Sequence, residues 1–304
     1  DKCFFMPSDL TAGLEYNRDR LKDNMWGYNR HTDQTVNIYS AFLQNEWKND
    51  RWGILIGGRL DKHNMVDNVI FSPRANLRFN PTQNINLRLS YSSGFRAPQA
   101  FDEDMHIENV GGTVAMIERA KDLKEEKSQS FSASADMYHR FGAFQTNLLI
   151  EGFYTRLTDV FVLGKPYDRG DGILVKTRSN GPGAKVMGLT LEGKVAYLSI
   201  LQIQAGLTLQ RSRYDEPHKW HDDAPAEKKI FRTPDTYGYF TATCTPIKPL
   251  SIALSGTYTG RMLVQRMDIT AENAELGKMP ERKAEAIRTP RFFDLGVKLA
   301  YDFK

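Results

Sequence analysis

The sequence predicts an all-β fold, an antiparallel up-and-down transmembrane β-barrel fragment of about 12 strands, with short periplasmic turns and long extracellular loops. Three observations lead to this prediction. Apolar and polar residues alternate over long stretches, the connections between these stretches alternate between short and long, and aromatic residues gather where the stretches end.

The alternation is clearest in residues 85–92. Successive side chains of a strand point to opposite faces, so alternating residue types predict a strand with one apolar and one polar face. The apolar face of this stretch carries Ile85, Leu87, Leu89 and Tyr91, and its polar face carries Asn86, Arg88, Ser90 and Ser92.

Eleven further stretches share this pattern and make up the remaining predicted strands. Those that precede residues 85–92 are 10–22 with Leu14 and Tyr16 on the apolar side, 34–48 with Tyr39 and Leu43, 52–58 with Ile54 and Ile56, and 68–80. Those that follow are 128–139, 148–161 with Leu148 and Ile150, 187–197 with Leu189 and Leu191, 201–210 with Ile203 and Leu207, 233–245, 252–258 with Leu254 and Tyr258, and 293–303 with Leu295 and Val297.

The connections after the second, fourth, sixth, eighth and tenth strands are short, and the others are moderate or long. Trp47 and Trp52 flank one short turn, whereas Tyr91, Tyr154 and Tyr258 lie near the long-loop ends. An outer-membrane barrel has short turns at one rim, long loops at the other and aromatic girdles at both interfaces. Its closed sheet also gives every backbone group in lipid an internal partner.

Other classes of protein fit the sequence less well. A soluble β-sandwich also has alternating strands, but strands of about five or six residues are usual in soluble proteins, whereas these run to about ten, the length of a membrane strand. The sequence contains no apolar run of about 18 residues, so no transmembrane helix is predicted. The formal net charge of +4 over 304 residues does not indicate nucleic-acid binding, and no catalytic motif predicts an enzyme.

The ends and the cysteines of the chain add little. Cys3 and Cys244 are too few and too far apart to predict a disulfide framework. The first residues lack the regions of a signal peptide, and the chain does not begin with Met. We therefore expect a fragment or a mature portion of a protein.

Two loops carry residues that could bind a cation or a ligand. Asp102, Asp104 and His106 lie in an acidic loop, which could hold a divalent cation such as calcium or could be an ordinary solvated loop. The loop at 215–223 has a denser cluster of such residues. Its two histidines and neighbouring carboxylates could hold a transition metal, could coordinate the metal of a ligand, or could be only surface residues. The candidate metal ligands there are Asp215, His218, His221 and Asp222.

Three further residues complete the candidate ligand site. Tyr214 and Trp220 offer flat apolar faces to a ring-shaped ligand, next to the histidines of the same loop. Arg96 ends the fifth predicted strand, where it could contact a ligand or anchor the strand end inside the lumen. No resident cofactor is predicted apart from the possible loop-bound cation.

The order of short motifs resembles the barrel of TonB-dependent outer-membrane receptors. Residues 91–98 read Y-S-S-G-F-R-A-P, where the family often has Y-x-x-G-F-R-A-P. Residues 122–128 read D-L-K-E-E-K-S, which resembles N-L-K-P-E-x-S except at Asp122 and Glu125. Similar motifs follow at 151–156, 180–192, 232–234 and 290–295, so the resemblance covers most of the chain from about residue 70.

The resemblance implies a barrel of about 22 strands with a plugged lumen, of which residues 1–304 would be a part that lacks the plug domain and some strands. Within the family, the chain resembles most the cobalamin and siderophore receptors of Bacteroides-like bacteria. The implied function is outer-membrane capture and TonB-driven import of a scarce ligand, a corrinoid or a ferric siderophore. The implied partners are outer-membrane lipid, TonB through the missing N-terminal region, and a small molecule or metal chelate. A passive porin or adhesin-like barrel is the alternative within membranes, and a soluble β-sandwich binding module is the alternative outside them.

Overall fold

The computed structural model describes residues 2–3, 6–100, 108–110, 113–170, 173–221, 224–269 and 282–303. Within these ranges the protein consists of strands and one 3-10 helix at Trp26–Tyr28. No helix in the described ranges is long and apolar enough to cross a membrane. The strands are β1 Lys2–Cys3, β2 Met6–Met25, β3 Arg30–Lys48, β4 Trp52–His63, β5 Ile70–Thr82, β6 Ile85–Arg96, β7 Glu108–Val110, β8 Thr113–Arg119, β9 Glu126–Phe141, β10 Phe144–Thr158, β11 Phe161–Asp168, β12 Leu174–Asn180, β13 Ala184–Tyr197, β14 Leu201–His218, β15 Glu227–Lys229, β16 Thr236–Ile247, β17 Leu250–Thr259, β18 Leu263–Ile269, β19 Arg282–Arg288 and β20 Phe292–Tyr301.

One 14-stranded sheet forms the wall of the molecule. Its strand order is β1-β2-β3-β4-β5-β6-β9-β10-β13-β14-β16-β17-β20, and the short β15 pairs with β14 beside this path. Neighbouring strands are antiparallel throughout. Apart from the short β1 and β15, the sheet has the predicted number of strands, and the predicted all-β antiparallel architecture is confirmed.

The alternation of connection lengths is also confirmed. Residues 49–51, 83–84, 142–143, 198–200 and 248–249 form the short connections. The connections at the opposite rim are moderate at 26–29 and 64–69 and long after β6, β10, β14 and β17. The carboxamide oxygen of Asn49 accepts hydrogen bonds from the backbone N–H groups of Arg51 and Trp52, which closes the first short turn. Gly142 has a φ of +56° in a two-residue turn, a conformation that costs glycine little because it has no Cβ atom.

Several strand ends differ from the prediction. β2 runs from Met6 to Met25 rather than over about 10–22, and β14 continues to His218 rather than ending near 210. β10 ends at Thr158, and Phe161 begins a strand of another sheet. Backbone pairing continues where the side chains no longer alternate between apolar and polar, so the alternation marks the lipid-facing part of a strand and not its end.

The long connections contain sheets that the sequence did not predict. β11, β12, β8 and β7 form a four-stranded sheet in that order, in which β12 and β8 are parallel, and β18 and β19 form a separate hairpin. These strands are short, and charged residues such as Lys176 and Arg178 interrupt their apolar pattern. Because their residues do not alternate between apolar and polar, the sequence pattern does not distinguish these strands from loops.

The two faces of the main sheet differ as predicted. Large apolar side chains remain exposed on one face, for example Leu14 at 87% and Val297 at 76%. Aromatic rings pair near the short connections, where the centroids of Trp52 and Phe79 lie 4.3 Å apart and those of Phe144 and Tyr197 lie 4.7 Å apart. On the same face, nearer the long connections, the rings of Tyr91 and Phe131 lie 4.8 Å apart.

Candidate functional site

A cavity of about 620 Å³ opens at the rim of the long connections. Segments that are distant in sequence form it: the β2–β3 connection, the β4–β5 connection, the residues around β8, and the β11–β12 hairpin. We call it the rim cavity. Its lining residues are Asn29, Arg30, His31, Thr32, Met65, Pro98, Ala100, Ile117, Glu118, Arg119, Ala120, Lys121, Leu123 and Arg169.

Gln34 holds one wall of the rim cavity in place. Its buried carboxamide oxygen accepts hydrogen bonds from the backbone N–H of Ala100 at 2.9 Å and from the Arg119 guanidinium at 2.8 Å. The same Arg119 nitrogen donates to the carbonyl of Pro98 at 2.9 Å. These hydrogen bonds fix the chain after β6 against β3, and they give the buried carboxamide oxygen of Gln34 its partners.

Most charged groups of the rim cavity are cations. Arg30 pairs with Asp23 at 2.9 Å, and Arg169 lies 3.9 Å from the Glu118 carboxylate. The Lys121 side chain also lines the cavity, and no described residue bonds to it. Polar and positively charged walls favour a ligand with negatively charged oxygen atoms.

A polar network on the inner face of the sheet lies beside the rim cavity. The Arg59 guanidinium donates to Glu15 and Asp61, and the Ser40 hydroxyl donates to Asp61 at 2.6 Å. His63 is 1% exposed, and its Nε2 lies 3.3 Å from the carboxamide oxygen of Gln99. These contacts fix the end of β4 nearest the long connections against β2, β3 and the segment after β6.

The sequence predicted a ligand site around residues 214–222, and the structure distributes these residues over both faces of β14. The ring centroids of Tyr214 and His218 lie 5.8 Å apart. Asp215 lies on the opposite face from Tyr214, because adjacent strand residues alternate. The ring centroid of Trp220 lies 5.8 Å from that of His221 and 6.3 Å from that of Phe231, with the Trp220 and Phe231 rings in an edge-to-face arrangement.

Both Asp215 and His218 lie beyond the ten or so residues of β14 that can span a membrane. A hydrogen bond from Lys185 at 2.8 Å lowers the pKa of Asp215, and Arg156 at 3.7 Å adds to this effect. Burial lowers the pKa of His218 because it disfavours the charged imidazole. Asp215 is thus an ionised carboxylate that is already held by cations.

No group of three or more His, Cys, Asp and Glu side chains in the described ranges could hold a metal ion. Asp222 lies outside those ranges, as do Asp102, Asp104 and His106 of the acidic loop, so both cation sites stay predictions. Arg96 ends β6, and its guanidinium carbon lies 5.5 Å from the ring centroid of Phe161. This contact fits the strand-anchoring alternative for Arg96.

The rim cavity is not predicted by any pattern in the sequence. Its residues come from segments far apart in the sequence, and the contacts that bring them together include the pairing of β12 with β8, the hydrogen bonds of Gln34 and the approach of Arg169 to Glu118. The cationic residues at positions 30, 119 and 121 could have been noticed, but their spacing in the sequence does not indicate that they meet.

The strand order, the exposed apolar face and the connection lengths define an outer-membrane β-barrel protein. A sequence model of the family "TonB dependent receptor-like, beta-barrel" matches residues 4–304. The chain belongs to this family, which is one of receptors, so the predictions of an outer-membrane protein and of a non-enzyme are confirmed. The comparison with curated proteins found no match.

Three solved structures with the same fold are a siderophore receptor, a ferric enterobactin receptor and an iron transporter. The siderophore receptor PirA from Acinetobacter baumannii has a TM-score of 0.68 and 16% identity, over 99% of this chain and 46% of that one. A mutant of the ferric enterobactin receptor PfeA from Pseudomonas aeruginosa in complex with enterobactin has a TM-score of 0.70 and 17% identity, over 98% and 44%. The FrpB iron transporter from Neisseria meningitidis has a TM-score of 0.63 and 13% identity, over 99% and 46%.

These low identities show a shared fold alone. The chain spans about half the length of the solved structures it matches, with shares of 44% to 46% in these three. The predicted soluble β-sandwich alternative is excluded by the family match. The prediction of a Bacteroides-like source stays untested.

Proposed function

We propose that this chain is part of the barrel of an outer-membrane active transporter, which captures a ferric siderophore at the long-connection rim. The rim cavity is the observation that supports this proposal most strongly. The cavity lies at the end of the barrel wall from which the long connections extend, and it is lined by cationic and polar side chains such as Arg119 and Lys121. Siderophores hold iron through oxygen atoms that carry negative charge, and such oxygen atoms bind well to Arg and Lys.

The comparisons support the ligand class. Two of the similar structures are siderophore receptors, and one was solved with enterobactin bound. The corrinoid, the other ligand class that the family resemblance implies, has no counterpart among these structures. A corrinoid is therefore the competing ligand in the experiment below.

The rest of the transporter is part of the same proposal. Residues 1–304 would supply about half of the barrel, and the remaining strands, the plug domain and the TonB-contacting segment would come from the rest of the protein. Outer-membrane lipid would surround the apolar face. The ligand would bring its own iron, and a divalent cation in the 101–108 loop would be at most a structural addition.

The test uses the intact protein that contains this chain, purified in detergent, with ferric enterobactin and cyanocobalamin as probes. Intrinsic fluorescence titration gives the Kd for each probe. Lys121→Gln should weaken ferric enterobactin binding about tenfold, because a charge-assisted contact is lost from the cavity wall. Arg51→Gln, an exposed cation in a short turn at the other rim, is the control and should leave the Kd unchanged.

Equal weakening by both substitutions would show a general charge effect and contradict a site in the rim cavity. Binding of cyanocobalamin but not ferric enterobactin would replace the siderophore with a corrinoid as ligand. Saturable binding of neither probe, together with passive conductance in planar bilayers, would favour the porin alternative.

A further inference from the structure

A row of cationic side chains crosses the outer face of the sheet. Arg156 of β10 pairs in register with Lys185 of β13, Lys185 with Arg213 of β14, and Arg213 with Lys229 of β15. Residues paired in register lie on the same face of a sheet. We call these four residues the cationic row.

The cationic row lies on the face that carries the apolar residues. Two residues nearer the short connections, the next row consists of Tyr154, Met187 and Arg211, and a second Arg thus lies directly below Arg213. The row below that one is apolar and contains Leu189 and Leu209. The positive charges are therefore on the outside of the barrel wall and not in its lumen.

Like charges on directly opposed strand residues destabilise a sheet. Asp215 compensates part of this repulsion, because it lies 2.8 Å from Lys185 and 3.7 Å from Arg156, and Asp235 pairs with Lys229 at 2.6 Å. Arg211 and Arg213 are exposed, and no carboxylate within the described residues pairs with either of them. The surface therefore has an excess of positive charge that an external anion would neutralise.

The height of the row on the wall indicates where this anion comes from. Phe144 begins β10 in the aromatic pair near the short connections, and Tyr154 follows ten residues later on the same face. With a rise of about 3.4 Å per residue and a tilt of about 40°, these ten residues span about 25 Å of height, which is the apolar band of an outer-membrane barrel. Arg156 follows Tyr154 by two residues and so lies at the level of lipid headgroups.

A shallow apolar cavity of about 1250 Å³ adjoins the cationic row from below. Small residues form its floor, namely Ala75, Ala133 and Gly152, while larger side chains surround them. Arg211 contributes to the lining, so the cavity is continuous with the positive surface. A lipid whose anionic headgroup binds the cationic row would therefore have its acyl chains over this cavity.

We propose that the cationic row and the cavity below it form a binding site for a phosphate-bearing lipid of the outer leaflet. The phosphate oxygens bind Arg211, Arg213 and Lys185, and one acyl chain fills the floor around Gly152. Charge complementarity and apolar contact act on the same molecule, because the headgroup and the chain are covalently joined. The site depends only on the outer face of the barrel and is independent of the transported ligand.

Native mass spectrometry of the intact protein in a neutral detergent tests this proposal, with phosphatidic acid, phosphatidylcholine and inorganic phosphate as probes. The unmodified protein should retain phosphatidic acid in preference to phosphatidylcholine. The triple variant Lys185→Gln, Arg211→Gln and Arg213→Gln should lower phosphatidic acid retention at least about tenfold, since it removes the three cations that bind the phosphate. Arg213→Gln alone, which breaks no described ion pair, should give a smaller loss in the same direction.

The matched control is Arg51→Gln, Arg140→Gln and Lys248→Gln, which removes three cations at or near the short-connection rim. Heat-modifiable migration of each variant shows whether the barrel has folded. Equal retention of phosphatidic acid by the two folded triple variants would overturn the proposal. So would displacement of phosphatidic acid by inorganic phosphate at equal molarity, since that result would mean that the acyl chains contribute nothing.

Discussion

Arg59 and Asp61 lie two residues apart on the same face of β4, and the Arg59 Nε donates to the Asp61 carboxylate at 2.8 Å. Asp61 is 3% exposed and also accepts a hydrogen bond from the Ser40 hydroxyl. Arg59 extends further and donates to Glu15 on β2 at 2.9 Å. This network joins three neighbouring strands on the polar face of the wall.

Asp61→Ala should therefore destabilise the protein. The substitution leaves the donors of Arg59 and Ser40 without their buried acceptor, which costs about 1–3 kcal/mol. The fraction that keeps the fast migration of folded protein in unheated gels, measured against urea concentration, should show a lower midpoint. Asp50→Ala, in an exposed short turn, is the control and should leave the midpoint within error. An unchanged midpoint for Asp61→Ala would mean that water replaces the carboxylate at no cost.

The strands of the main sheet could be predicted because lipid imposes alternation on them. Leu191 and Leu207 are ladder neighbours on the outer face, and the inner-face residues Thr190 and Thr208 separate them from the next outer apolar residues of their strands, Leu189 and Leu209. Lipid contacts every strand in the same way, so this signal is local to each strand. It is strong enough to predict the strand number, the alternating connections and the outer face.

The rim cavity could not be predicted because no local pattern determines it. Arg119 reaches Gln34 across 85 residues of sequence, and its strand is held by a parallel pairing with β12 that has no periodic signal. The cluster at 214–222 shows the opposite error. Its residues are close in sequence, yet Tyr214 and Asp215 point to opposite faces of β14, because successive side chains of a strand face opposite sides even where the strand extends beyond the membrane.

A second prediction concerns the lipid face. Leu207 lies near the middle of the apolar band and is 44% exposed, so Leu207→Lys should place a charge in the bilayer and cost about 2–4 kcal/mol. Ser134→Lys, on the inner face beside Glu151, should cost less than about 1 kcal/mol because the lumen is wet. Urea midpoints in lipid vesicles measure both. Similar losses at the two positions would contradict the assignment of the faces.

A third prediction concerns the turn at Gly142, whose φ of +56° lies in the left-handed region. Gly142→Val should cost more than about 1 kcal/mol, because a β-branched residue is strained in this conformation. Gly142→Asn should be nearly neutral, since Asn adopts positive φ more readily than other residues with a side chain. Beyond Gly142 and its two chain neighbours, no atom of the described residues lies within 4 Å of the position of a Cβ there, so side-chain bulk is not the cause. The refolding yield and the urea midpoint should both be lower for Gly142→Val than for Gly142→Asn. Equal values for the two variants would contradict the explanation by backbone strain.

The last prediction concerns the contacts that close the rim cavity. Gln34→Ala removes the acceptor of the Ala100 backbone N–H and of Arg119, while the ladders of the main sheet remain intact. Hydrogen exchange should therefore become faster at residues 99–100 and 116–120, because local opening no longer requires these two bonds to break together. Exchange in β9 and β10 should not change. Gln145→Ala, an exposed residue near a short turn, is the control and should alter neither region. Unchanged exchange at Ala100 would show that Pro98 and the packing of neighbouring residues hold this wall without Gln34.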